Sequence, residues 1–114
     1  MTIARRALGI AGEDAAAAWY EANGYEVVAR NWRCREGELD LIVRRNRVIV
    51  FCEVKARANT VFGVPAEAVN HLKRQRLRVL AAKWIADSPI RPREIRFDVV
   101  SIVGDAVEVI EGAF

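Results

Sequence analysis

The stretch Val48-Ile49-Val50-Phe51-Cys52 is apolar at every position. Successive side chains of a strand point to opposite faces of the sheet. A run with no polar position is therefore buried from both sides, which predicts a central strand covered above and below. The rest of the chain has to supply those covers. At 114 residues it is long enough for one domain with one substantial core, and it needs no disulfide or metal to hold that core together.

Two segments can provide the covers. The Ala-rich stretch up to Asn23 reads as a helix, with Gly24 as its natural stop. Gly9 and Gly12 weaken its start, and residues 1–10 are expected to be flexible. A second helix is expected from Pro65, a residue suited to a first turn, to about Ala86. Val69, Leu72, Leu77, Leu80, Ala81 and Trp84 recur there at helical spacing. Between the helices lie three strands. Tyr25–Trp32 has Tyr25, Val27 and Ala29 in alternation. Glu38–Arg44 carries Leu39, Leu41 and Val43 on one face, and Arg47–Arg57 holds the doubly buried run. Ala58–Val64 reads as a loop. After the second helix, Glu94–Val103 alternates as a strand, and Gly104-Asp105 turns it into a short last strand, Ala106–Ile110. The order is α-β-β-β-α-β-β, an α/β chain with a mixed sheet covered on both faces.

The central strand changes character halfway. One face stays apolar through Val48, Val50, Cys52 and Val54. The other runs Ile49, Phe51, then Glu53, Lys55 and Arg57. Glu53 and Lys55 are two apart and share a face. A two-residue turn at Arg45-Asn46 would pair Ile42 with Ile49, Asp40 with Phe51 and Glu38 with Glu53. Asp40 would then lie diagonally from Glu53, roughly 7–8 Å away. A two-residue slip would bring it closer. Carboxylates facing each other across a sheet destabilise it unless compensated. Lys55 and Arg57 are one compensation, and a hard divalent cation, content with one or two carboxylates plus water and phosphate, is another. A solvated sheet edge with ordinary salt bridges fits the spacing equally well.

Asp40, twelve intervening residues and then Glu53-Val54-Lys55 resemble the PD-(D/E)XK nuclease signature, with Leu39 where its Pro would stand. The blocks Gly12-Glu13, Arg30-Asn31, Gly37-Glu38-Leu39-Asp40-Leu41-Ile42, Phe51-Cys52-Glu53-Val54-Lys55-Ala56-Arg57, Phe62-Gly63, Pro65, Glu67-Ala68-Val69, Lys73 and Arg96-Phe97-Asp98-Val99-Val100 resemble the YraN-like bacterial family, UPF0102, a branch of that superfamily similar to archaeal Holliday junction resolvases. The resemblance implies a restriction-endonuclease-like mixed sheet flanked by helices. It implies a Mg²⁺- or Mn²⁺-dependent endonuclease on nucleic-acid phosphodiesters, branched or single-stranded DNA among them. Asp40 and Glu53 would bind the ion with the Val54 carbonyl, and Lys55 would serve the attacking water and the phosphate. Glu13 would be a third acid, and Lys73 would stand where some branches brace the site from a helix. Glu38, near the acids by spacing, is a further candidate ligand. A non-catalytic nucleic-acid-binding module with the same fold is the alternative.

Charge bears on the partner. The excess is +3, and 15 of the 18 basic residues are Arg. Arg forks suit phosphate, although codon choice in a GC-rich genome explains the bias equally well. Arg33 and Arg35 flank the acids in sequence and could hold a backbone phosphate, as could Arg57. Lys73, Arg74, Arg76, Arg78 and Lys83 fall on the second helix, where phosphate contact and a solvated face both account for them. DNA is favoured over RNA, and a two-fold dimer would suit a junction. Trp19, Trp32, Trp84 and Cys52 read as core, and His71 as surface. Two cysteines and one histidine do not make a zinc site, and no organic cofactor is expected. Glu13 and Asp14 interrupt the apolar stretch after Arg5-Arg6 too early for a signal peptide. No run reaches the ~20 apolar residues of a membrane span. A cytoplasmic protein with reduced thiols is expected.

Overall fold

The computed structural model describes residues 3–57 and 70–114. The loop expected at Ala58–Val64, Pro65 and the core position Val69 lie outside them. The helix expected to run on from Pro65 is corrected, because Asn70 is extended (φ −74°, ψ 174°) and caps a helix that begins at His71. Helix α1 spans Ile3–Ala22 and is followed by β1 (Glu26–Cys34), β2 (Gly37–Arg45) and β3 (Val48–Arg57). Helix α2 (His71–Asp87), β4 (Glu94–Val103) and β5 (Ala106–Ile110) complete the order α-β-β-β-α-β-β. The sheet has five strands in the order β1-β2-β3-β4-β5, antiparallel except for the parallel β3–β4 pair that the α2 crossover allows. Among the described residues no helix is long and apolar enough to cross a membrane.

The central run of β3 is buried on both faces, from Ile49 to Glu53. Val50 and Cys52 pack under α1 with Ala16, Ala17, Tyr20, Leu41 and Val43. Ile49 and Phe51 pack under α2 with Leu77, Leu80, Ala81 and Trp84. The helix ends follow local chemistry. Gly24, at φ 86°, takes the left-handed conformation that closes α1, with Tyr25 N–H donating to Tyr20 O and Gly24 N–H to Glu21 O. Asn70 caps α2 by accepting from Lys73 N–H. Gly12 is required for contact: a Cβ there would sit 2.6 Å from the Ala56 Cβ, so α1 rests directly on β3.

Three further expectations are corrected. Leu72 is 70% exposed and outside the core; at five residues before Leu77 it is turned about 140° away round the helix. A bulge between Val27 and Ala29 breaks the expected alternation of β1, so Val27 packs under α1 and Ala29 under α2. In β2, Leu39 packs on the α2 side while Leu41 and Val43 pack on the α1 side. The three do not share a face, and Asp40 sits where the alternation breaks.

Candidate active site

The β2–β3 turn falls on Asn46-Arg47, one residue later than the spacing suggested, with Asn46 at φ 56°. Asn accepts that conformation more readily than most residues. Moving the turn by one residue shifts the pairing by two, which preserves the faces. Ile42 meets Phe51, and the ladder ends at Leu41 opposite Cys52. Continued by one residue, this register sets Asp40 beside Glu53. Glu38, expected there, instead pairs with Arg33 of β1, and their side chains form an ion pair at 3.2 Å.

Where the ladder ends, side chains take over. Asp40 Oδ2 accepts the Val54 N–H at 2.9 Å. Glu53 is only 6% exposed. Its Oε1 faces two ammonium groups, Lys55 Nζ at 3.3 Å from its own strand and Lys73 Nζ at 2.5 Å from the first turn of α2. Glu13, on α1, accepts a hydrogen bond from Asn31 Nδ2 at 2.9 Å. Asn31 itself is left-handed, at φ 50°, and its amide fixes Glu13 from the neighbouring strand. This positioning role was missed in the sequence, where the tolerance of Asn for positive φ was the available signal.

The electrostatics single out Asp40. Burial pushes its carboxyl up to about 7, the charge of Glu53 adds to this, and Glu13 and Glu38 add less, while the Val54 N–H opposes. The four acids therefore share one electrostatic neighbourhood, although among the described residues no three of His, Cys, Asp and Glu are gathered tightly enough to enclose an ion. Burial and the adjacent Lys73 lower the pKa of Lys55 against the pull of Glu53. For Lys73, burial also lowers, but hydrogen bonding to Glu53 wins and the pKa rises. The bonds among the described residues occupy one oxygen of each inner acid, Asp40 Oδ2 and Glu53 Oε1. The other oxygen of each is the hard donor that a divalent cation would use.

The basic residues are distributed around this centre. Arg33 and Arg35 lie at the β1–β2 hairpin end, and Gly37 of that hairpin packs near Leu80 and the Arg76 stem on α2. Lys83 holds Glu36 of the same hairpin at 2.9 Å. Arg74 and Arg78 lie over the Phe114 ring, and Arg57 closes β3 beside Val103. The α2 basic residues are thus not one stripe: Lys73 turns into the site, Arg74 and Arg78 cover Phe114, and Arg76 and Lys83 face the hairpin. A cleft of about 590 Å³, lined by Arg6, Ile10, Glu13, Asn31, Arg33 and Glu38, opens next to the acids. Trp19 and Trp32 pack at the margins of the core, Trp84 and Cys52 lie in it, and His71 is exposed.

Comparison with known proteins agrees along nearly the whole chain. The UPF0102 protein of Beutenbergia cavernae is 52% identical over 100 residues, covering 88% of this chain and 85% of that protein. The UPF0102 protein of Frankia alni is 50% identical over 116 residues and 97% of each chain. That of Moorella thermoacetica is 44% identical over 120 residues and the full length of both. The family model described as uncharacterised protein family UPF0102 matches residues 12–102, a span that holds Glu13, Asp40, Glu53, Lys55 and Lys73, and the chain belongs to that family.

Proposed function

We propose that the protein is a divalent-cation-dependent nuclease acting on nucleic-acid phosphodiesters, with DNA favoured over RNA. One observation carries this reading: Asp40 and Glu53, on adjacent strands at the end of their ladder, converge beside a lysine on the same strand as Glu53. Mg²⁺ or Mn²⁺ suits this donor set, because two carboxylates with phosphate and water satisfy such an ion. The raised Asp40 carboxyl supports the fit, since burial first and the charge of Glu53 second oppose its ionised form, and a bound cation would offset both.

Asp40 and Glu53 would hold the ion together with the Val54 carbonyl, with Glu13 and Glu38 as outer acids. The ion would lower the pKa of a bound water and polarise the phosphate. Lys55 sits two residues from Glu53 on the same face, where its ammonium can orient the water and stabilise the charge that develops on the phosphate. Arg33, Arg35, Arg57 and Arg76 would contact the backbone without reading sequence, which makes binding salt-dependent.

The test is incubation with Mg²⁺ or Mn²⁺ and a panel of junction, flap, single-stranded and RNA substrates. Cation-dependent cleavage that disappears in Glu53→Ala is the expected result. Cleavage that persists in Glu53→Ala is a contaminant and contradicts the proposal. Salt-sensitive binding with no cleavage of any substrate replaces it with a nucleic-acid-binding module.

A further inference from the structure

Lys73 occupies an unfavourable place. It is the third residue of α2, in the first turn, where the helix macrodipole presents positive charge and disfavours a cation. Its neighbour across the gap is another ammonium, Lys55, and both approach the same oxygen, Glu53 Oε1. Two like charges on one acceptor repel each other. What holds Lys73 there is Glu53, a carboxylate buried to 6% exposure whose charge has to be paired. Both ammonium groups end flexible four-carbon stems, and Lys73, with its side chain about one-third exposed against one-quarter for Lys55, has the more open path to solvent.

We propose that Lys73 is the resident counterion of Glu53, gives up that carboxylate when a divalent cation binds, and then presents its ammonium to a backbone phosphate. This rests on the cation-site reading above and adds a coupling to it. Without the ion, both ammonium groups are engaged by Glu53 and the centre has little pull on a phosphate. With the ion, Glu53 no longer needs Lys73, and one positive charge becomes available to the nucleic acid. Cation binding and nucleic-acid binding therefore strengthen each other, and the strengthening is reciprocal by linkage. Lys73 acts here as a binding residue that alternates between Glu53 and the phosphate. Its loss affects the two ligands in opposite directions, which a merely structural lysine would not do.

Mn²⁺ uptake followed by electron paramagnetic resonance, and Ca²⁺-dependent binding of a labelled single-stranded oligonucleotide, test this in the wild type, Lys73→Met and Lys73→Gln, with Asp40→Asn as the reference for the site. Lys73→Met should bind Mn²⁺ about two- to fivefold more tightly, the effect of removing one partly exposed ion pair from competition. Its gain in oligonucleotide affinity on adding Ca²⁺ should be clearly smaller than that of the wild type, what remains being the ion's own attraction for the phosphate. Lys73→Gln, which can still hydrogen-bond Glu53 without a charge, should behave the same way if the methionine variant folds poorly. Mn²⁺ binding that Asp40→Asn abolishes but that both Lys73 variants leave unchanged or weaken overturns the counterion role and leaves the cation site standing. No saturable Mn²⁺ binding by the wild type overturns the cation site and the counterion role together.

Discussion

Asp98 and Asp40 are both carboxylates set into the sheet, and the fold treats them in opposite ways. Asp98 is fully buried and receives four hydrogen bonds: from Tyr20 Oη at 2.6 Å, Arg96 Nε at 2.8 Å, the Arg96 terminal nitrogen at 3.0 Å and Gly112 N–H at 3.0 Å. Arg96 in turn donates to Tyr25. These contacts join α1, β4 and the segment after β5 into one knot. Asp40 has one backbone donor among the described residues and three acids around it. A buried charge with a full set of donors is structural, and the sparser donor set of Asp40 among the described residues is what the proposed cation site rests on. Both stand on strands that border β3, but Asp98 is fully enclosed while Asp40 is only half-buried, so the two differ in depth as well as in donors.

The comparison breaks most easily at Asp98. Asp98→Ala leaves Arg96 and the Tyr20 hydroxyl facing an empty acceptor, and urea denaturation should show a loss of about 3–5 kcal/mol. A loss under 1 kcal/mol would mean that the knot is not structural. Gly12→Ala comes next, because α1 carries both Tyr20 and Glu13. Its methyl would overlap Ala56, and overpacking at a tight contact costs about 1–3 kcal/mol. An unchanged midpoint would show that α1 can lift off β3 freely.

Asp40→Asn should have the opposite sign. The amide oxygen can still accept the Val54 N–H, while the burial and repulsion that oppose a charge there vanish. In chelator at pH 8 the variant should be about 1–2 kcal/mol more stable than the wild type. The sign follows from a folded-state value raised to about 7 above an unfolded one near 4. The folded protein holds this proton more tightly, so the wild type suffers no penalty below pH ~4. It loses stability relative to Asp40→Asn as pH rises from ~4 to ~7, and the difference is constant above that. A difference that grows toward acid would refute the burial argument. The smallest effects are those of the neighbours. In carboxyl NMR titrations Glu53→Gln should lower the Asp40 midpoint most, and Glu13→Gln and Glu38→Gln less. The reverse ranking would place the wrong acid beside Asp40.

The element order and the doubly covered β3 were readable because periodicity reports burial, and five apolar residues in succession, rich in β-branched side chains and preceded by a turn signal, favour a strand covered on both faces. The Glu53–Lys55 contact was readable for the same reason, since positions two apart on a strand share a face. The opposition of Asp40 and Glu53 was not. It depends on which two residues make the β2–β3 turn, and Arg45-Asn46 and Asn46-Arg47 both bury Ile42 against an apolar partner. The turn of Leu39 to the α2 side and the bulge after Val27 are local twists without a composition signature. Lys73 reaching Glu53, and Phe114 lying under Arg74 and Arg78, are contacts between segments far apart in the chain. Helical spacing alone displayed those bases as a single face.

The most direct test of the central claim is a titration of the isotope-labelled protein with Mn²⁺, read by paramagnetic broadening of backbone amide signals. The account requires the amides of Asp40, Glu53, Val54 and Lys55 to broaden first, at substoichiometric ion, while those around Asp98 stay sharp and Asp40→Asn removes the effect. Broadening that is uniform, that centres on other acids, or that survives Asp40→Asn would contradict it.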